Sequence, residues 1–227
     1  MITCDIKDLY VNIPIEETLA ITKSMLLKNT GTQITQQIVT LMRPVLSQNY
    51  IKFQNKIYQP EKGLSLGSPV SSTIAELFLQ HFEDIRLKQL LDTKNIIFYT
   101  RYVDDILIIQ DTKRIHPDHI NTYVNQIHTD IKLIPTYENN VCISFLDRLI
   151  IRKPSDLEID IFRKPTTTDT NFNLFSYHPV EHKVVAFRYH ITRMHSLPLT
   201  PERKQKIDVN TANRTKITTA HQNFFKH

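Results

Sequence analysis

The sequence predicts an α+β fold, an antiparallel sheet backed by helices. Two observations lead there. Short apolar, β-branched runs alternate with stretches whose apolar residues recur at helical spacing. Several of the runs also flank turn residues, as in hairpins. At 227 residues the chain can bury a core and fits one or two domains.

The elements follow in order. Residues 1–6, MITCDI, are a short strand. After Pro14, IEETLAITKSMLLKN carries glutamates in its first turn and predicts a helix ending near Gly31. In TQQIVTLMRPVLSQN, Ile38, Leu41, Met42 and Val45 form one helical stripe. YIKFQNKIYQ predicts a hairpin turning at Gln54-Asn55. VSSTIAELFLQHFEDI places Val70, Ile74, Leu77, Phe78 and Ile85 on one helix face. NIIFYTRYVDDILIIQD, residues 95–111, reads as paired strand. DHINTYVNQIHTDI repeats the helical pattern with Ile120, Val124, Ile127 and Ile131. VCISFLDRLIIR and LEIDIFRK predict two strands joined by the turn KPSD. From about residue 165 the composition shifts toward Thr, Asn, Lys and His, a candidate boundary. There is no internal repeat.

Composition narrows the classes. The chain is 41% hydrophobic and 22% charged, with a formal net charge of +5. That mild basic excess allows a nucleic-acid partner without establishing one. Two cysteines, Cys4 and Cys142, make neither a disulfide framework nor a cysteine-rich zinc site. No signal peptide is evident. No apolar run approaches the ~20 residues of a membrane span, so no membrane partner and an intracellular location are expected.

The chemistry concentrates in 95–111, where Asp104 and Asp105 interrupt an apolar run. Taken alone, adjacent acids fit a hairpin turn facing water. Long apolar flanks bury the hairpin, so its acidic tip must open into a cleft or be neutralised by a cation. Hard divalent ions such as Mg²⁺ take carboxylate oxygens. Asp5, in CDIKDLYVNIP, offers a further carboxylate at a strand end, though a helix-flanking acid is an equal reading. Two of only three glycines, Gly63 and Gly67, lie in EKGLSLGSPVSS, ahead of a helix. They imply φ > 0 or close approach of another molecule. An ordinary helix entry, with Ser68 as cap and Pro69 as first residue, fits the same stretch.

These stretches together resemble a known family. YVDD between apolar strands resembles the metal-binding hairpin of reverse transcriptases. CDIKDLYVNIP resembles their first aspartate motif, and KGLSLGSPVSSTIAELFL their glycine-bearing loop and helix. The run into NIP, and the later SFLDRLIIRK, IFRKPTTTD and SYHP, are most similar to the enzymes of Penelope-like retroelements.

The resemblance implies a polymerase palm with a partial helical thumb. Residues 1–135 would be palm, 136–164 a connecting strand hairpin, and 165–227 a thumb-like or helix-turn-helix-like region with a polar tail. It implies RNA-directed DNA polymerase activity, with Asp5, Asp104 and Asp105 as catalytic ligands of two Mg²⁺ ions, Mn²⁺ being a substitute. Tyr10 would lie under the nucleotide sugar and favour deoxynucleotides. Gly67 and Ser71 would adjoin the nucleotide. Ser72 stands where the family usually has proline. Arg101 would neutralise local charge or touch primer backbone, a surface arginine being an equal reading. Arg163 and Lys164, with Arg148, Arg152 and Lys153, would neutralise nucleic-acid phosphates or form a solvated charged face. Partners would be an RNA template, a DNA primer and deoxynucleoside triphosphates, and the location nuclear. His178, His182, His190 and His195 lack a metalloprotease pattern. The family's fingers region precedes the first motif, and Met1 lies four residues before Asp5. The expectation is a palm and thumb whose fingers belong to a longer parent protein. Two rival readings are a catalytically dead remnant that binds nucleic acid and a carboxylate-dependent nuclease. The nuclease would require neither the glycine loop nor Tyr10.

Overall fold

The computed structural model describes residues 1–93, 95–164, 166 and 177–205. The chain forms two compact units, Met1–Glu138 and Asn139–His227.

The first unit is built on a four-stranded antiparallel sheet of order β4-β5-β1-β6. Its strands are β1 (Ile2–Ile6), β4 (Ile96–Tyr102), β5 (Asp105–Gln110) and β6 (Leu133–Tyr137). The connections supply α1 (Leu9–Asn12), α2 (Ile15–Leu27), α3 (Thr32–Ser47), a hairpin of β2 (Ile51–Phe53) and β3 (Lys56–Tyr58), α4 (Ser71–Phe82), α5 (Lys88–Asp92) and α6 (Pro117–Asn125). Period-two alternation gives the sheet two distinct faces. Ile2, Cys4 and Ile6 of β1 and Ile106 and Ile108 of β5 are buried in one core with Ile74, Phe78, Ile120 and Val124. Asp5, between Cys4 and Ile6, is exposed on the opposite face. Burial pushes the Cys4 thiol up to about 11.

Several sequence expectations are corrected here. β6 was not foreseen, because Pro135 interrupts its apolar run. Proline is tolerated there because β6 is an edge strand paired only with β1. In α3 the buried residues are Thr35, Val39 and Leu46, whereas Leu41 and Val45 of the expected stripe are exposed. They line an open apolar groove with Leu26 and Leu77. In the helix after Gly67, Ile74 and Phe78 are buried as expected, but Ile85 is exposed and Leu87 takes its place inside. The cause is a π-helical segment, Glu83–Leu87, which adds a residue to the turn and shifts the helix phase. The helix also starts later than expected. Its cap position is Val70 with no side-chain cap bond, while Ser68 closes a preceding turn by accepting from the Ser71 N–H at 3.2 Å. The hairpin turn at Gln54-Asn55 is as read, with φ of 47° and 61°, the pattern of a type I′ turn.

The second unit has three antiparallel strands, β7 (Cys142–Phe145), β8 (Arg148–Arg152) and β9 (Leu157–Ile161), and the helix α7 (Val180–Ser196). VCISFLDRLIIR is therefore two strands, not one. It turns at Leu146-Asp147, where Leu146 takes φ 55° without a glycine to signal it. Leu197 and Leu199 pack against Ile161 and Met194. Arg203 pairs with Glu158 and Asp160, and Lys153 with Glu158 at 3.3 Å. Of the expected thumb-like or helix-turn-helix-like region, residues 177–205 are described and carry α7, while the polar tail, residues 206–227, lies outside the described residues. No helix among the described residues is long and apolar enough to cross a membrane.

Candidate active site

Strand register assembles the acidic residues. β1 and β5 run antiparallel with Asp5 directly opposite Asp105. The same row continues outward to Tyr102 on β4 and Ile134 on β6. Cross-strand partners project from one face, with Cβ atoms about 4.5–5.5 Å apart. Asp5, Asp105 and Tyr102 therefore share the face opposite the helices. Asp104 sits in the β4-β5 turn. Its carbonyl accepts the Ile6 N–H at 3.0 Å, which ties the turn to the end of β1. The turn demands an unusual backbone: Val103 has φ 57°, a left-handed conformation rarely adopted by a β-branched residue.

The glycine loop is fastened to the same end of the sheet. Leu64 N–H donates to the Tyr10 carbonyl at 2.6 Å, and Asn49 Nδ2 to the Gly63 carbonyl at 3.1 Å. Gly63 has φ 89°, and a Cβ there would lie 2.5 Å from the Val11 carbonyl oxygen. Its glycine is thus required by the fold. Gly67 is different: a Cβ there would meet nothing within 4 Å. Any demand for glycine at 67 arises from outside the described chain.

Tyr10 is half-buried at the margin of the core and lines a cleft with Ser72, Thr73, Glu76, Arg101 and Val103. Segments far apart in sequence, α1, α4 and the aspartate hairpin, converge on that cleft. Ser71, expected beside the nucleotide, is 3% exposed, its side chain withdrawn from the surface.

For Arg101 the contacts are those of the local-charge alternative. Register pairs it with Ile106 on the helix-packed face, opposite to Tyr102 and Asp105, and its side chain is 5% exposed. There it binds Glu83 through Nε at 2.5 Å and Glu76 through both terminal nitrogens at 2.7 and 2.8 Å. Burial alone would lower its pKa, but the hydrogen bonds to Glu76 and Glu83 outweigh that and raise it. The same contacts hold the Glu76 carboxyl below its ordinary range. Burial, then Glu83, pushes the Tyr99 hydroxyl up; that hydroxyl donates to Glu83 at 2.5 Å. Glu76 and Glu83 were not foreseen. Their one sequence signal is a seven-residue spacing, two turns along one helix. In the second unit Arg163 and Lys164 are exposed just after β9, at the end where Arg148 pairs with Ile161, whereas Arg152, also exposed, pairs with Leu157 at the other end.

Among the described residues no group of three or more His, Cys, Asp or Glu side chains is placed to hold a metal ion. What the register brings together is an opposed pair, Asp5 and Asp105, with Asp104 in the adjoining turn. Carboxylate oxygens are the ligands that a hard cation such as Mg²⁺ takes, alongside waters and substrate oxygens.

The chain is similar to known polymerases in sequence family and in fold. A family model described as reverse transcriptase (RNA-dependent DNA polymerase) matches residues 1–134. No curated protein matches the chain. Among solved structures, telomerase from Candida albicans in complex with a TWJ fragment of telomeric RNA is similar with a TM-score of 0.61 and 14% identity, over 99% of this chain and 41% of that one. The Sicinivirus 3Dpol RNA-dependent RNA polymerase gives 0.55 and 15%, over 96% and 47%. Apo telomerase from Candida tropicalis, truncated from its C-terminal domain, gives 0.51 and 13%, over 70% and 35%. At these identities the likeness is one of fold, a polymerase palm, and the chain spans less than half the length of each. The family match runs from β1 through the aspartate hairpin into β6, more than half of the chain, and the chain therefore belongs to the reverse transcriptase (RNA-dependent DNA polymerase) family.

Proposed function

We propose that this chain is the palm of an RNA-directed DNA polymerase from a Penelope-like retrotransposon, acting by metal-assisted nucleotidyl transfer. The observation that carries the reading is the direct pairing of Asp5 with Asp105, with Asp104 in the adjoining turn. Adjacent like charges at a strand end are costly without a cation to offset them.

Asp5, Asp104 and Asp105 would hold Mg²⁺ or Mn²⁺. Bound there, the metal supplies charge that acidifies a primer 3′-hydroxyl and neutralises triphosphate oxygens. The chain's own residues do the rest by positioning. The apolar β1 and β5 fix the separation of the carboxylates. Tyr10 borders the cleft where a ring would crowd a 2′-hydroxyl, favouring deoxynucleotides. The open backbone at Gly67 lets template and nucleotide approach closely. Arg163 and Lys164, with Arg148 and Arg152, offer charge to the phosphates of a primer–template duplex.

The test is extension of a DNA primer on an RNA template. It is run with the 227-residue chain and with the same chain preceded by a fingers segment from an intact relative. Extension that requires divalent metal and disappears in Asp104→Asn supports the reading. Failure of both forms to extend overturns it in favour of a remnant without catalysis.

A further inference from the structure

Arg101 lies three residues before Asp104, on the face of the sheet turned away from the carboxylates. Its guanidinium has five N–H donors, and the structure uses all five. Nε donates to Glu83 Oε1 at 2.5 Å. Nη1 donates to Glu76 Oε2 at 2.7 Å and to the Val103 carbonyl at 3.2 Å. Nη2 donates to Glu76 Oε1 at 2.8 Å and to Glu83 Oε2 at 3.1 Å. No donor remains for a phosphate.

The Val103 contact gives this network its meaning. Val103 is the residue forced to φ 57°, and it precedes Asp104. A left-handed, β-branched residue persists only where its surroundings over-determine it. Here the over-determination has two parts. The Ile6 N–H holds the Asp104 carbonyl from one side, and Arg101 holds the Val103 carbonyl from the other. Arg101 is itself anchored to α4 through Glu76 and to the π-helical segment through Glu83. Tyr99 fixes Glu83 in turn.

We infer that Arg101 is a positioning residue, a clasp that fastens the strained Val103 turn to the α4 helix and so sets the placement of Asp104 against Asp5 and Asp105. The inference rests on the reading of those aspartates as the metal site. Lysine cannot replace it, because an ammonium lacks the planar fork that reaches two carboxylates and a carbonyl together.

The test uses the 227-residue chain and Mn²⁺ binding, followed by the electron paramagnetic resonance of free Mn²⁺ well below the melting transition. Arg101→Lys keeps the charge and loses the fork. It should weaken Mn²⁺ binding about 10–100-fold, the range seen when partners behind metal ligands are lost. Amide hydrogen exchange at Val103, Asp104 and Asp105 should accelerate in the same variant. A purely structural role would not move the affinity of the folded protein. Ile120→Val, a core change remote from the turn, serves as the control and should keep wild-type affinity despite melting earlier. Should Arg101→Lys fail to fold, Glu76→Gln carries the same expectation at smaller amplitude, since Glu76 is 55% exposed and Glu83 remains. Loss of Mn²⁺ in Asp104→Asn with wild-type affinity and exchange in the clasp variants overturns the clasp alone. Unchanged Mn²⁺ binding in Asp104→Asn overturns the metal-site reading, and the clasp with it.

Discussion

Asp5 and Asp105 face each other directly across β1 and β5. Opposed like charges on one face of an antiparallel pair destabilise a sheet by about 0.2–1 kcal/mol. Asp5→Asn should therefore raise the melting temperature in chelator, by about 0.4–4 °C for a chain of this size. The same variant should abolish the further rise that Mg²⁺ or Mn²⁺ produces in the wild type. Thermal melts with and without metal check both halves. A variant that melts lower in chelator would show that the pair is compensated by other groups.

The two loop glycines should separate in their effects. Gly63→Ala forces a Cβ against the Val11 backbone at positive φ. It should cost about 1–3 kcal/mol of stability. Gly67→Ala meets nothing within 4 Å and should stay within about 0.5 kcal/mol of wild type. Its effect should appear instead in template and nucleotide binding. Denaturant titration and primer–template binding, measured on both variants, distinguish a fold requirement from a ligand requirement.

Tyr10 lines the cleft beside Val103 and Glu76. Tyr10→Ala should raise incorporation of ribonucleotides relative to deoxynucleotides in whichever form of the chain extends a primer. Competition between the two substrates measures the ratio. An unchanged ratio with retained extension would leave Tyr10 as a packing residue.

The Arg101 contact holds the Glu76 carboxyl below its ordinary value of 4.5. A carboxyl whose pKa is lower folded than unfolded stabilises the fold above the unfolded value. That contribution is lost as pH falls through the folded one. Wild type should thus exceed Glu76→Gln in stability at neutral pH by an amount that is constant above about pH 5 and shrinks as pH falls below 4.5. Urea midpoints across that window give the test. A difference that persists unchanged into acid would locate the effect in packing rather than charge.

Arg163 and Lys164 are exposed after β9. If they meet phosphates, replacing both with Gln should weaken primer–template binding. It should also flatten the slope of log affinity against log salt by about one per residue. An affinity loss without a change of slope would point to local unfolding.

Much of this architecture was legible because it depends on local pattern. The apolar, β-branched and aromatic content of residues 95–111 specified β4 and β5, and the apolar run around Asp5 specified β1. Gln54-Asn55 announced a hairpin because a polar pair ending in Asn, a residue that accepts positive φ, separates two short apolar runs. What escaped depended on neighbours. Helical spacing showed that α3 has an apolar stripe, but not that Leu41 and Val45 would be left facing a groove. β6 escaped because Pro135 breaks its apolar run and sequence does not reveal which strand is an edge. Leu146-Asp147 carries no strong turn signal, so β7 and β8 read as one strand. At the site, the carboxylates were visible because charge is conspicuous in an apolar run. Arg101 was assigned to nucleic acid or local charge because a sequence does not show which face of β4 the helix covers. Glu76 and Glu83 were indistinguishable from ordinary solvated glutamates on a helix.

The π-helical segment at Glu83–Leu87 has a consequence for how this chain tolerates changes of length. A regular α-helix advances about 100° per residue, so removing one residue rotates everything beyond it by that angle. Deletion of one residue within 84–86 would be absorbed instead. The π-helical segment already holds one residue more than an α-turn, so it would relax into ordinary α-helix with Leu87 and α5 kept in phase with β4. Far-ultraviolet ellipticity and the near-ultraviolet signal of the aromatic residues packed against α4 should both survive it.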